Sequence, residues 1–217
     1  MSFLNNYASI IQAAVNIFIL FVSLALFQYI SQYSVRKALH IMAGPVFFFS
    51  LQHQIFTLKS ASLAALIPLQ SSFIFFVAQQ FNITPLLALI SRPSSSKING
   101  VIYYGILWAL WPFSRYYGIQ KYILVGLICF TFGDGFAGYG ELFKTKKTGQ
   151  KTYQGLALFI IGGVLGFYIF KFELIDAIIF SIISAIIEFN TQGFDDNLII
   201  FISMSGFSYI YYQINYF

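Results

Sequence analysis

Apolar residues occur along this chain in long blocks separated by short polar clusters, without the two-residue alternation of half-buried strands. A helix needs about 20 apolar residues to cross the hydrocarbon core of a bilayer, with a range of about 17–25. On that measure the chain carries spans near 8–30, 39–57, 61–79, 101–114, 121–139, 154–170, 174–189 and 197–214. The fourth and seventh are short, which leaves seven spans, or one half-buried, as the alternative. Residues 81–91 (FNITPLLALIS) are apolar but broken by Pro85, and suit an interfacial or re-entrant piece. The N-terminal block lacks a basic flank and a small-residue cleavage site, so it reads as a retained first span. With no internal repeat and no long linker, the expected fold is one all-α, polytopic membrane helical bundle of about 7–8 transmembrane helices over 1–217.

Composition sharpens this picture. The chain has 217 residues, 59% apolar and 9% charged, with a formal net charge of +5. Soluble domains carry roughly 25% charged residues, so a soluble enzyme, a nucleic-acid binder and a disordered chain are all excluded as expectations. The positive charges are scattered between apolar blocks instead of forming a basic stripe, which argues against a nucleic-acid partner. Cys129 is the single cysteine, and His40 and His53 are the two histidines. Intrachain disulfides and a cysteine-based zinc site are therefore ruled out. The aromatic load reads as lipid-facing bulk and interfacial belts, with Tyr103, Tyr104, Trp108, Trp111, Tyr116 and Tyr117 flanking one span.

With eight spans, the odd connections hold Arg36 and Lys37, then Arg92 and Lys97, then Lys144, Lys146, Lys147 and Lys151. The even ones hold Lys59, Arg115 and Lys171, with Lys121 at an edge. Lys and Arg are retained in the cytoplasm, so the odd connections are expected to face inward and both termini outward. The formal glycosylation acceptor at Asn82 then falls on the cytoplasmic side.

Carboxylates are costly inside a membrane, at about 3 kcal/mol on insertion scales, so each of the seven is informative. Glu173 and Asp176, beside Lys171, read as a solvated loop on the outer face. Asp134 ends an apolar span within GDGFAGYGE, where Gly133 and Gly135 would let a bulky ligand approach and allow a sharp helix exit. A helix-packing role for these small residues is the alternative. Asp195, Asp196 and Asn197 precede the last span, and such hard oxygen donors suit Mg²⁺, which is held by one or two carboxylates plus substrate phosphates. An N-cap would need only one of these aspartates. Glu188 lies nearby in sequence, but Gly193 intervenes and no shared helical face is assumed. Lys151 is the best phosphate candidate of the lysine loop. Arg36, Lys37 and His40 open the second span, with Arg36 and His40 one helical turn apart. Cations, carboxylates and an imidazole on one membrane face match what phosphoryl transfer requires, namely positioning and charge neutralisation.

Taken in order, RKALHIMAG, INGVIYYGILWALWPF, GDGFAGYGELF, KTYQGLALF and EFNTQGFDDNLI resemble the phytol/farnesol kinase family and the related catalytic region of dolichol kinase, within the CTP-dependent polyprenol kinases. The resemblance covers roughly residues 35–200. It implies phosphoryl transfer from CTP, or another nucleoside triphosphate, to the hydroxyl of a membrane isoprenoid alcohol (phytol, farnesol, geranylgeraniol, dolichol or another polyprenol), with Mg²⁺. On this reading Asp134, Asp195, Asp196 and Asn197 hold the metal on the triphosphate. Arg36, Lys37, Lys151, Gly133 and Gly135 bind nucleotide phosphates, and Asp134, His40 or Glu188 act at the reacting groups. CTP-dependent diacylglycerol kinases share much of the pattern, so such a kinase, or a related cytidylyltransferase acting on a lipid phosphate, is the alternative enzyme. A non-enzymatic transporter or assembly factor for anionic lipids is the alternative from another class. The expected location is an internal membrane such as the endoplasmic reticulum, or a bacterial inner membrane, with the active face cytoplasmic.

Overall fold

The computed structural model of the chain describes residues 35–53, 55–83, 99–143, 151–191 and 195–216, with no strand among them. Seven helices make up most of these residues: α1 (Val35–Leu51), α2 (Leu58–Gln80), α3 (Asn99–Tyr116), α4 (Gln120–Ile128), α5 (Tyr153–Ile169), α6 (Leu174–Asn190) and α7 (Asp196–Tyr216). The all-α class is as expected. The expected first span, the Pro85 segment, and Arg92, Lys97, Lys144, Lys146 and Lys147 lie outside the described residues. Two compact units are formed, one ending at Gln120 and the other starting at Lys121.

In the first unit, each of α1, α2 and α3 carries an internal proline: Pro45, Pro68 and Pro112. Proline removes a backbone donor and bends a helix unless neighbours take up the freed groups. The α1 helix stops at Leu51, short of the expected 57, because Thr57 leaves helical geometry to cap α2. Thr57 Oγ1 accepts from the Ser60 amide at 3.1 Å, and the Ser60 hydroxyl takes the Thr57 amide at 3.0 Å, a reciprocal capping box. The α2 and α3 helices lie close because Gly105 has no side chain: a Cβ there would fall 2.4 Å from the Pro68 carbonyl oxygen. Phe47 of α1 meets the rings of Trp108 and Trp111 edge-on at 6.1 and 5.7 Å. Both tryptophans are fully buried, so they are core residues and not part of an interfacial belt, whereas Tyr116 and Tyr117 are exposed.

The second unit is assembled on glycines. Past Ile128, α4 does not end but widens into a π-helical turn (Cys129–Asp134), a short α-turn (Gly135–Ala137) and a 3₁₀ turn (Gly138–Phe143). Phenyl rings of this rod sit over glycines of α5, and the reverse also holds. Phe136 occupies the space a Cβ on Gly162 would need, Phe132 that of Gly166, and Phe159 that of Gly133. The α6 helix packs on α5 with Gly163 against Ser181, and α7 packs on α6 and the π-turn.

Two helices bury polar and small side chains while exposing bulky aliphatics. On α6 the buried stripe contains Asp176, Ser181, Ser184 and Glu188, while Leu174, Ile175, Ile178, Ile182 and Ile186 face outward. On α2 the buried positions are mostly Ser and Ala, and Leu66, Phe73, Ile74 and Phe76 are exposed. Small and polar residues inside with bulky aliphatics outside is the packing of helices in lipid, the reverse of a surface helix in water. By length and apolarity, Leu58–Gln80 and Gln120–Gly140 suffice to cross a membrane, and His40–Leu51 and Tyr153–Ile169 are shorter apolar helices.

Candidate functional site

The second unit gathers its charges where three helices end. Thr152 caps α5, its hydroxyl accepting from the Gly155 amide at 3.1 Å, and this leaves Lys151 just outside the first turn. From there the Lys151 ammonium reaches Glu188 Oε1 at 3.0 Å in the last turn of α6, and Asp196 Oδ2 at 3.1 Å in the first residue of α7. It also donates to the Glu188 backbone carbonyl. Glu188 is buried, and Asp196 is about one third exposed at its side chain. One cation thus ties the ends of α5, α6 and α7 together, although Glu188 and the Asp195-Asp196 pair lie on separate helices.

The two adjacent aspartates have different tasks. Asp195 is the cap of α7: its Oδ1 accepts from the Leu198 amide at 3.3 Å. Asp196 is left to face Lys151. Burial pushes the Asp195 carboxyl above the ordinary aspartate range; the Leu198 and Asn197 amides pull it down, and the charges of Asp196 and Asp134 push it up. Asn197 is buried beside them.

Asp134 closes the π-turn and lies near enough for its charge to act on both Glu188 and Asp195. The glycines around it do not make a sharp exit. Gly135 is helical, with φ −54° and ψ −51°, and the backbone continues as helix to Phe143. Gly133 is required by packing against Phe159. The helix-packing reading thus accounts for Gly133, and the π-turn, a distortion frequent at functional sites, accounts for the placement of Asp134. Gly140 lets the 3₁₀ turn approach the start of α5, since a Cβ there would meet the Gly155 Cα at 2.6 Å.

Arg36, Lys37 and His40 belong to the first unit, on the first turns of α1. The His40 ring lies 4.7 Å from that of Tyr104 of α3. Lys151, Glu188, Asp134, Asp195, Asp196 and Asn197 belong to the second.

One carboxylate departs from the expectation while its neighbour Glu173 is exposed as expected. Asp176 is not in a solvated loop: it is 2% exposed in the first turn of α6, and its two oxygens accept from the hydroxyls of Tyr211 (2.9 Å) and Tyr212 (2.7 Å). The Lys121 ammonium sits 3.4 Å over the Tyr212 ring, within the electrostatic reach of Asp176. The available signal was spacing, because Asp176, Phe180, Ser184 and Glu188 follow one another at intervals of four along α6.

Chemically, the helix ends set the Glu188 and Asp196 carboxylates against the Lys151 ammonium, with Asp134 and Asp195 within electrostatic reach of these carboxylates. No group of three or more His, Cys, Asp or Glu side chains among the described residues forms a metal cage made by protein alone. Mg²⁺ needs only one or two carboxylates when phosphates supply the rest; of the expected donors, Asp195 is engaged as the α7 cap and Asp196 by Lys151. The chain matches no protein-family profile, no curated protein and no solved structure.

Proposed function

We propose that this chain is a multi-pass membrane phosphotransferase that moves the γ-phosphoryl group of CTP, or another nucleoside triphosphate, to the hydroxyl of an isoprenoid alcohol. The observation that carries the reading is the charge cluster on Lys151, set at the ends of helices whose outer faces are aliphatic. A water-borne nucleotide and a lipid-borne alcohol meet only at such a boundary. Phosphoryl transfer asks for little covalent chemistry and much electrostatic positioning, and the cluster supplies fixed charges held by helix ends.

In this reading Asp134, Asp195, Asp196 and Asn197 hold Mg²⁺ on the triphosphate, and the ion supplies charge neutralisation of the phosphate oxygens when bound. Lys151, held by Glu188 and Asp196, would exchange one of these contacts for a phosphate oxygen and add its charge to the neutralisation. Glu188 orients the acceptor hydroxyl, and a strong base is not needed for a loose transition state. The cluster faces the cytoplasm by the distribution of Lys and Arg. Transfer of label from γ-labelled CTP to lipid tests the reading, and Asp134→Asn should abolish transfer while the protein stays folded. Full activity in that variant removes Asp134 from the site.

A further inference from the structure

The first unit contains a backbone device that the phosphotransfer reading does not use. In a regular α-helix the amide of Gly44 would donate to the carbonyl of His40, four residues earlier. Here the Tyr104 hydroxyl of α3 stands at that register. It accepts from the Gly44 amide at 2.9 Å and donates to the His40 carbonyl at 2.7 Å. The next residue, Pro45, has no amide to offer the carbonyl of Ile41. At two successive positions α1 is thus perturbed: a hydroxyl bonds both groups of one rung, and the next rung lacks its donor. Helices bend where a proline sits or where a side chain enters the ladder, and α1 has both within one turn.

The surroundings hold the hydroxyl in register. The Tyr104 ring packs against the His40 ring at 4.7 Å, tilted by 55°. On the other side Trp108 fills the space next to Gly44 so fully that a Cβ there would fall 2.2 Å from the indole. A small cavity lined by Ala43, Gly44, Pro68, Tyr104 and Trp108 borders the joint.

We infer that Tyr104 is a positioning residue that splices its hydroxyl into the α1 backbone and so sets the direction of the turn carrying Arg36, Lys37 and His40. The inference does not depend on the kinase reading. With His40 and His53 the only histidines, labelling histidine at its carbonyl carbon gives two isotope-shifted amide bands in the infrared. In Tyr104→Phe the ring remains, and the His40 carbonyl loses its short O–H donor and is left to the weaker N–H of Gly44. One band should move to higher frequency while the His53 band stays. Incorporating 3-fluorotyrosine, a stronger donor, should move the same band to lower frequency in protein with its native side-chain volumes, and this arm decides the matter if Tyr104→Phe fails to fold. Spin labels at Lys37 and Leu69, in a Cys129→Ala background, should show a shifted distance distribution in Tyr104→Phe. Histidine bands unmoved by either change would overturn the splice. A moved band with an unchanged label distance would overturn the positioning role.

Discussion

Lys151 Nζ lies 3.0 Å from Glu188 Oε1, so the start of α5 is fastened to the end of α6 through a carboxylate that is almost fully buried. Removing the cation leaves that charge without its partner, and an unpaired buried group costs more than the pair contributes. Lys151→Met should lower stability by roughly 1–3 kcal/mol, measured by thermal unfolding in detergent. Adding Glu188→Gln should recover much of the loss, giving a clearly non-additive double-mutant cycle.

Asp176 gives a second prediction, separate from any chemistry at the Lys151 cluster. Tyr212→Phe removes one hydrogen bond to a charged, buried acceptor and should cost about 1.5–3 kcal/mol. Asp176→Ala should cost more, because it strands two phenolic hydroxyls at once. Phosphoryl transfer by Tyr212→Phe, assayed where the protein is folded, should stay near that of the parent.

The glycine contacts predict opposite signs for chemically identical changes. Gly140→Ala would press a Cβ against the Gly155 backbone, which cannot rotate away, and should destabilise by about 1–3 kcal/mol. Gly206, within α7, has nothing near its missing Cβ, so Gly206→Ala should be neutral or stabilise by up to about 1 kcal/mol through helix propensity. Unfolding midpoints of the two variants check the contrast.

Asp195 makes stability depend on pH. Its carboxyl is pushed above the ordinary aspartate range, so the folded state holds the proton more tightly than the unfolded chain does. The contribution is full below the ordinary aspartate pKa and is lost as pH rises from there through the raised folded value. Asparagine also caps helices well, so Asp195→Asn keeps the Leu198 contact and removes the charge. Without divalent cations, Asp195→Asn and the parent should unfold at similar temperatures in acid, and the variant should become the more stable one towards neutral pH. A difference that does not change with pH would contradict this.

Much of the helix map is legible in the sequence because apolar blocks and polar breaks are local. The expected 154–170, 174–189 and 197–214 correspond to α5, α6 and α7 within two residues at each end. The π-turn at Cys129–Asp134 is not legible: Phe132 within it and Phe136 just after it pack over glycines of α5, far along the chain. Asp195 and Asp196 stand out by composition, but their division into a cap and an ion-pair partner depends on where Lys151 arrives. Following Glu173 and Lys171, Asp176 has the sequence context of a solvated loop, and only its tyrosine partners on α7 show why it is buried.

We propose that the carboxylates at Lys151 serve phosphoryl transfer to a lipid alcohol, and one assay decides it. This assay incubates the purified protein with γ-labelled CTP, Mg²⁺ and a panel of farnesol, phytol, polyprenol and diacylglycerol, followed by lipid extraction. The account predicts label in an isoprenoid monophosphate, lost in Asp134→Asn. Label in diacylglycerol alone would contradict the assigned acceptor, and no label in any lipid would contradict the enzyme.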